Sequence, residues 1–337
     1  MLGSLPCLKR WLGLVWLIGG CASHGPLLLP ADSDAGGAGG EAGATELPNA
    51  GAATEAGAPA LECGPVAPPH AWGDWPMPNP TSSGLPHPAS YSVSPSGEQT
   101  TDEVTGLVWQ RHASISAMTW DDAKSYCACL GVDGLGGWRL PSRIELASLV
   151  DYAKTTPSID VNAFPDTSPE NFWTSSEVGI GTGLVYLVFF DNGHTTYATP
   201  DYEYRARCVR GEPTPPAERY TVANGIVHDV SSELSWQQQV PSGRIAWIEA
   251  GDYCKTLDLD PEHGPWRLPS INELQTLVLE SQNPSIDTAA FPNTPSEYFW
   301  ASSSVVDDAS RAWTTFFTNG STYSFATTSL KNVRCVR

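Results

Sequence analysis

The sequence is poor in charged residues, and basic residues are the scarcer kind. Charged side chains make up 16% of 337 residues, with 18 Lys and Arg against 37 Asp and Glu, which gives a formal net charge of −19. Nucleic acids and anionic lipid surfaces are held by Lys and Arg that neutralise phosphates. This balance therefore argues against both as partners, and it also disfavours a sulfated polysaccharide.

Long apolar runs are also missing, apart from one short run near the N-terminus. The run over residues 11–18 follows Lys9 and Arg10, and it has the length of a signal-peptide core rather than of a membrane helix. It leads into Leu-Ile-Gly-Gly-Cys, ending at Cys21, which resembles a bacterial lipoprotein cleavage box. We expect residues 1–20 to be a lipoprotein signal peptide and Cys21 to be lipidated; the alternative is an ordinary secretory signal. The expected location is the bacterial cell envelope, as an outer-membrane or cell-surface lipoprotein.

The segment after the signal has almost no residues that could form a core. Residues 21–62 are rich in Ala and Gly, and such a composition predicts a disordered tether. Residues 63–90 are rich in Pro and contain Trp72 and Trp75. We predict that this second segment packs on the first of the two domains that follow.

The remainder of the chain is a tandem repeat. The stretch Trp-Arg-Leu-Pro-Ser-x-x-Glu-Leu begins at Trp138 and begins again at Trp266. The flanking sequence repeats with it, which predicts a first domain over residues 91–210, a linker over 211–218 and a second domain over 219–337. We interpret the repeated stretch as structural, with its signature residues Trp138, Arg139, Pro141, Ser142 and Glu145 in the first copy and Trp266, Arg267, Pro269, Ser270 and Glu273 in the second.

Each copy predicts two helices followed by short strands. Apolar residues spaced by three and four after Trp120 indicate an amphipathic helix, and Ser142-x-x-Glu145 has the form of a capping box that begins a second helix. Asn192-Gly193 lies between strand-forming runs and predicts a hairpin in which both turn residues have positive φ. The predicted fold class is therefore α+β, with two tandem domains that each have two helices and a short-stranded antiparallel sheet.

The cysteines of the repeats predict disulfides. Cys127 and Cys208 are 81 residues apart, as are Cys254 and Cys335, which predicts one equivalent bond in each copy. Cys63 and Cys129 have no counterparts, and we pair them with each other. Export to an oxidising compartment makes a metal site at Cys127 and Cys129 the weaker interpretation.

The ordered set of motifs resembles a known bacterial domain family. The motifs are Gly-Leu-Val-Trp, Trp-x-x-Ala-x-x-Tyr-Cys, Trp-Arg-Leu-Pro-Ser-x-x-Glu-Leu, Phe-Trp-x-Ser-Ser and Arg-Cys-Val-Arg. They resemble the domain of unknown function named for the C-terminal domain of the Legionella collagen-like protein (Lcl), whose members are similar to the C-type-lectin-like fold. The resemblance implies surface-exposed binding or adhesion, with glycan as one class of ligand.

Catalytic and metal-binding patterns find little support in the sequence. The histidines are scattered and none recurs between the copies, so no Ser-His-Asp arrangement is indicated. The fold relative that performs chemistry, the formylglycine-generating group, needs reactive cysteines, whereas those of the repeats are expected in disulfides. The calcium-binding motifs of lectins are absent as well. We therefore predict no enzyme activity, no metal and no cofactor, and keep a divergent enzyme as a minor alternative.

Partner contacts are expected where the two copies differ, on the hairpins and on the loop before the last strand. The candidate ligand-binding residues are Asp191, Asn192, His194, Tyr197, Tyr202 and Tyr204 in the first copy and Asn319, Tyr323 and Phe325 in the second. The predicted function is non-catalytic adhesion or binding of a glycan or a surface protein, by a protein held at the membrane by lipid. The alternative is a structural protein–protein interaction component of an envelope complex.

The lipid anchor predicts a direct labelling result. Cells grown with labelled palmitate should incorporate the label into the chain, and Cys21→Ser should abolish it, because the thiol is the acceptor of the lipid. Cys7→Ser, which changes the other cysteine of the N-terminal region, should leave the label in place. Equal labelling of the chain with Cys21→Ser would contradict the anchor.

Overall fold

The computed structural model describes residues 63–64, 76–179, 182–211, 218–260, 263–280 and 282–337. The predicted signal peptide, Cys21 and the tether lie outside these residues. The described part is an α+β structure in which each repeat contributes two α-helices and several short antiparallel strands. No helix in these ranges is long and apolar enough to cross a membrane.

The elements of the first repeat begin with a three-stranded meander and end with a strand that returns to it. Its strands are β1 (Tyr91–Val93), β2 (Gln99–Asp102), β3 (Val108–Gln110), β4 (Asn171–Glu177), β5 (Val185–Phe189), β6 (His194–Ala198) and β7 (Val209–Arg210), and its helices are α1 (Trp120–Ala128) and α2 (Arg143–Ser148). Strands β1, β2, β3 and β7 form one sheet in that order, and β4, β5 and β6 form another.

The second repeat has the same plan. Its strands are β8 (Tyr220–Ala223), β9 (Ile226–Asp229), β10 (Leu234–Gln237), β11 (Ile245–Ala246), β12 (Tyr298–Val305), β13 (Asp308–Phe316), β14 (Ser321–Ala326) and β15 (Leu330–Lys331), and its helices are α3 (Trp247–Lys255) and α4 (Ile271–Gln275). Its sheets have the orders β10-β9-β8, β12-β13-β14 and β11-β15. A 3-10 helix, Thr81–Ser83, precedes the first repeat.

The repeated signature builds the start of the second helix of each repeat. Ser142 accepts a hydrogen bond from the Glu145 amide while the Glu145 carboxylate accepts one from the Ser142 amide, and Ser270 and Glu273 form the same capping box. This confirms the predicted helix start. Arg139 donates to both carboxylate oxygens of Glu145 at 2.7 and 2.6 Å, which leaves this buried carboxylate fully paired.

The other signature residues tie that helix to the sheets. Trp138 and Trp266 are buried, and Arg267 pairs with Glu273 at 2.7 Å through both nitrogens. The carbonyl oxygens of Pro141 and Pro269 accept hydrogen bonds from the amides of strands β4 and β12. The structural interpretation of the signature agrees with each of these contacts.

Disulfides join the last strand region of each repeat to its first helix. The bonds Cys127–Cys208 and Cys254–Cys335 are the two pairs that the equal spacing predicted, and Cys63–Cys129 is the bond predicted for the two cysteines without counterparts. Next to two of these cysteines lie Arg207 and Arg334, which are buried and donate to backbone carbonyls and to one threonine each. Burial lowers the pKa of each to about 9, so both remain charged at neutral pH.

The hairpins differ from the predicted turn. Only Gly193 and Gly320 have positive φ, at 87° and 81°, whereas Asn192 and Asn319 do not. The prediction of positive φ at both turn positions is therefore wrong. Glycine is required for a second reason, because a Cβ at Gly193 would lie 2.4 Å from Val150 and one at Gly320 would lie 2.3 Å from Val278.

The two repeats lie within one compact unit and share a hydrophobic core. Val150 and Leu149, at the end of α2, belong to the same buried cluster as Val278 and Trp313 of the second repeat. A pair of reciprocal hydrogen bonds relates the repeats by a local two-fold axis. The Thr195 amide donates to the Thr322 hydroxyl at 2.9 Å, and the Thr322 amide donates to the Thr195 hydroxyl at 2.8 Å. The linked copies thus pack like the two subunits of a symmetric dimer.

Polar contacts across this boundary are not symmetric. Arg143 of α2 is buried and pairs with Glu280 at 2.6 Å, and it also donates to Gln275 at 3.2 Å. The position equivalent to Arg143 is Ile271, and the position equivalent to Glu280 is Tyr152, at the 128-residue offset of the signature. Burial raises the pKa of Glu280 in spite of the arginine. Such a pair penalises any arrangement of the repeats that separates its members.

The Pro-rich segment contacts both repeats. Asn79 is buried and accepts a hydrogen bond from the Ser270 hydroxyl at 2.6 Å, and His87 lies 3.2 Å from the Ser232 carbonyl. Both partners belong to the second repeat. The prediction that residues 63–90 pack on the first domain is therefore incomplete, because residues 79 and 87 bridge to the second.

Equivalent aspartates in the two repeats have different environments. We therefore expect their replacement by asparagine to have opposite effects on the free energy of unfolding. Asp102 is buried without a basic partner; burial raises its pKa from 3.8 to about 6, and its Oδ2 atom has no hydrogen-bond partner among the described residues. Its equivalent, Asp229, pairs with Arg219 at 2.8 Å. Tyr91 lies opposite Asp102 and Tyr220 lies opposite Asp229, so the position equivalent to Arg219 in the first repeat is Ser90.

We predict that Asp102→Asn makes the protein more stable than the unsubstituted chain at neutral pH. The raised pKa means that the fold favours the protonated acid, so this contribution is complete below about pH 4 and is lost as the pH rises through about 6. The gain should grow over that window to at most about 3 kcal/mol, at about 1.4 kcal/mol per pKa unit. Urea unfolding between pH 4 and 7 measures it.

The matched control is Asp229→Asn, which should destabilise the fold at neutral pH because it removes the carboxylate that receives hydrogen bonds from Arg219. A loss of stability in both variants at pH 7 would contradict this account of Asp102.

Candidate functional site

The two repeats carry surface grooves at equivalent positions. The first groove has a volume of about 370 Å³ and is lined by Ala117, Pro169, Glu170, Asn171, Phe189, Glu203, Tyr204 and Arg205. The second groove has a volume of about 270 Å³ and is lined by Arg244, Glu297, Tyr298, Phe316, Leu330, Lys331 and Asn332. The 127-residue offset of the repeat relates seven of these lining positions pairwise, so one concave feature of the fold is present twice.

The floor of each groove is formed by two residues that lie opposite each other on neighbouring strands. Asn171, the first residue of β4, lies opposite Phe189, the last residue of β5. Tyr298 lies opposite Phe316 in the same way between β12 and β13. Side chains alternate across a strand, so the neighbouring Phe172 and Phe299 point into the core while the floor residues face the groove.

A glutamate is common to both grooves and is held in place in each. Arg205 donates to Glu170 at 2.8 Å. In the second groove Asn332 donates to Glu297 at 3.0 Å, and Arg244 forms an ion pair with the same carboxylate. The hydrogen bond from Arg205 lowers the pKa of Glu170, and the bond from Asn332 lowers that of Glu297. Each groove therefore presents an ordered carboxylate at neutral pH.

The rest of the lining differs in charge. The first groove contains two glutamates and one arginine, for a formal charge of −1, whereas the second contains one glutamate with Arg244 and Lys331, for +1. The Lys331 ammonium lies 3.6 Å from the ring centre of Phe325 and 4.8 Å from that of Tyr298. Burial, followed by the charge of Arg244, lowers the pKa of Lys331. The same feature has thus diverged into two chemically distinct sites.

Four of the candidate residues lie in or beside the grooves. Tyr204 lines the first groove, and Tyr202 stacks on it with ring centres 6.2 Å apart and 14° between the planes. Tyr323 and Phe325 contact Tyr298 at 5.7 and 4.8 Å between ring centres. The loop before the last strand is therefore a groove wall in the first repeat.

The hairpin candidates are placed differently. Asn192 and Asn319 each accept a backbone amide two residues ahead, and Asp191 accepts the Thr156 hydroxyl at 2.8 Å. These bonds shape turns. The Asn319 carbonyl also accepts a hydrogen bond from Tyr186 of the other repeat.

His194 lies against the second repeat as well. Its ring centre is 6.4 Å from that of Trp313 and 5.1 Å from that of Tyr323, and burial lowers its pKa. Tyr197 is 40% exposed and remains accessible. The expectation that the hairpins face a partner is thus corrected for His194 and Asn319, because these residues lie at the contact between the repeats.

Several groove residues were not predicted. Glu170, Arg205, Arg244, Tyr298 and Lys331 lie far apart in the chain and belong to no recognised motif. A comparison of the two copies would have shown the signal, since Glu170 and Glu297 persist while the surrounding positions change. The described residues contain no group of three or more His, Cys, Asp or Glu side chains that could hold a metal ion.

These features define a class: an α+β protein of two repeats, each with an internal disulfide and a surface groove. A family model described as the Lcl C-terminal domain matches residues 98–210 and 225–337. The chain belongs to this family, in two tandem copies, and the family suggests a surface or adhesion-type domain. A search among curated proteins finds no match to the chain.

The electrostatics of the second groove predict opposite shifts for two variants. Arg244→Ala should raise the pKa of Lys331, because it removes a like charge, and Glu297→Gln should lower it, because it removes the carboxylate that favours the charged amine. An NMR titration of the lysine side-chain carbons measures both. Ala117→Arg, the equivalent position in the first groove, is the control and should leave the Lys331 pKa unchanged. Shifts of the same sign in the first two variants would contradict the described geometry.

Proposed function

We propose that the protein is a non-catalytic adhesion or binding protein that recognises glycans through the first and second grooves. The observation that carries the proposal is the presence of the same groove in both repeats, each with an ordered glutamate and an aromatic floor residue. Small-ligand sites combine apolar and aromatic walls with a few fixed polar groups that orient the ligand. A sugar ring offers apolar C–H faces and hydroxyl donors, which match the aromatic rings and the carboxylates.

A role without catalysis is supported by the state of the reactive side chains. All six cysteines from residue 63 onward are in disulfides, so the reactive thiols of the formylglycine-generating relatives have no counterpart among them. Glu145 and Glu273 are buried in arginine pairs, and Asp160 accepts the amides of its own turn. The repeated acids are therefore engaged in building the fold.

The proposal includes display at the cell envelope. Cys21 would carry the lipid, residues 21–62 would separate the repeats from the membrane, and the disulfides suit an oxidising compartment. Two grooves in one compact unit would allow a polymeric glycan to engage both at once, which raises avidity if the ligand spans them. The alternative proposal, an interaction component of an envelope complex, uses the same surfaces with a protein partner.

A glycan array tests the proposal. The exported chain with Cys21→Ser keeps every described residue and is applied alongside Tyr202→Ala, which alters the first groove, and Tyr298→Asn, which gives the second groove the residue of the first. We expect saturable binding that one or both variants reduce about tenfold, the effect of losing one stacked aromatic ring. Val222→Ser is the control, because Val222 is exposed on β8 and lines neither groove.

An array without saturable binding, together with one discrete protein captured in a pull-down, would overturn the glycan proposal in favour of the envelope-complex alternative. Equal binding by all variants would show that glycan is held elsewhere than in the grooves.

A further inference from the structure

The first groove offers hydrogen-bond acceptors and a net negative charge, and its basic side chain is already engaged within the protein. Arg205 is its one basic residue; it donates to Glu170 and also to the carbonyls of Ser114 and Ile115. Glu203 is exposed and forms no ion pair within the described ranges. A ligand that carries a charged donor therefore complements the carboxylate of Glu203.

An unpartnered acceptor lies at the floor of the same groove. The Oδ1 atom of Asn171 is buried and has no hydrogen-bond partner among the described residues. A buried acceptor that lacks a partner destabilises the protein, so a donor from a ligand that reaches it is favoured. The second repeat has Tyr298 at this position and has no such vacant acceptor there.

The equivalent site in the second groove already contains a positively charged side chain, that of Lys331. Lys331, at the position of Tyr204, places its own ammonium over the rings of Phe325 and Tyr298. The second repeat thus fills its groove with an internal amine. In the first repeat the neighbouring residues Glu203 and Tyr204 replace Leu330 and Lys331, which removes the internal amine and adds a carboxylate.

The aromatic rings at the rim of the first groove also favour the binding of a cation. Tyr202 is 59% exposed and is stacked on Tyr204 at the rim of the groove. A ring face attracts an ammonium group through its quadrupole. The net charge of −19 favours the approach of a cation further.

We propose that the first groove binds a primary ammonium group carried by a saccharide, as in a glycan of amino sugars whose amines are not acetylated. The inference rests on the proposed glycan function and assigns a ligand class to one of its two grooves. Glu203 receives the ammonium, Asn171 accepts a further hydrogen bond, and Tyr202 and Tyr204 stack on the sugar. The second groove, which holds Lys331, does not bind this ligand.

Calorimetric titration with two matched tetrasaccharides tests the inference. One is built of glucosamine and the other of its N-acetylated form, both offered at mildly acidic pH to the full chain with Cys21→Ser. We expect the glucosamine form to bind at least about tenfold more tightly, the value of one charge-assisted hydrogen bond. Glu203→Gln should remove that preference, and Tyr202→Ala should weaken binding of the glucosamine form. The control Val222→Ser, at an exposed position of β8 that lines neither groove, should leave the affinity unchanged.

The outcomes separate this inference from the proposed function. Equal affinity for the two tetrasaccharides, or a preference that survives Glu203→Gln, would overturn the ammonium site and leave glycan binding in place. Tetralysine binding more tightly than the glucosamine form would overturn the saccharide assignment. If neither tetrasaccharide bound and the array also showed no saturable binding, the proposed function itself would fail.

Discussion

The structure depends on the complete burial of two short helices, which neither repeat achieves alone. Every residue of α2 and of α4 is buried, including polar residues such as Arg143, Asn272 and Gln275. A helix that is buried on all sides needs packing partners around its whole circumference. The sheet of its own repeat covers one side, and the other repeat covers much of the remainder. The two copies are therefore better described as halves of one domain than as two independent domains joined by a linker.

That constraint explains where the two copies are the same and where they differ. The arginine–glutamate pair and the serine cap recur in both because each helix has to begin in the same way against its own sheet. Across the boundary the copies face each other, and there Arg143 and Glu280 form one asymmetric pair. The grooves can diverge in charge, because the charged side chains that line them take part in none of the hydrogen bonds described between the repeats. Duplication within one chain permits this, whereas a dimer of identical subunits would have two identical grooves.

Much of the architecture within a repeat was predictable. The helix that begins at Trp120, the capping boxes and the pairing of cysteines 81 residues apart all follow from local rules or from equal spacing in the two copies. The contact between the copies was not predictable, because Arg143 and Gln275 look like ordinary solvent-facing residues of short helices. The prediction for the Asn-Gly turns was wrong for a related reason. Gly193 and Gly320 are required because they pack against Val150 and Val278, which lie about 40 residues earlier in the chain.

The grooves illustrate a different limit. Their residues come from a loop, two strand ends and the segment before the last strand, and only the fold brings these together. The candidate list from sequence contained Tyr202 and Tyr204 because the copies differ there, but it omitted Glu170 and Asn171, which complete the same groove. Each groove combines a glutamate that both copies share with neighbours that differ between the copies. A search only for positions that differ between the copies therefore misses the glutamate.

Scanning calorimetry of the chain with its disulfides intact shows whether the two repeats unfold as one cooperative unit. We expect a single transition whose calorimetric and van't Hoff enthalpies agree, because unfolding either repeat would expose the buried helix of the other. Two separate transitions, each with the enthalpy of about half the described residues, would contradict it.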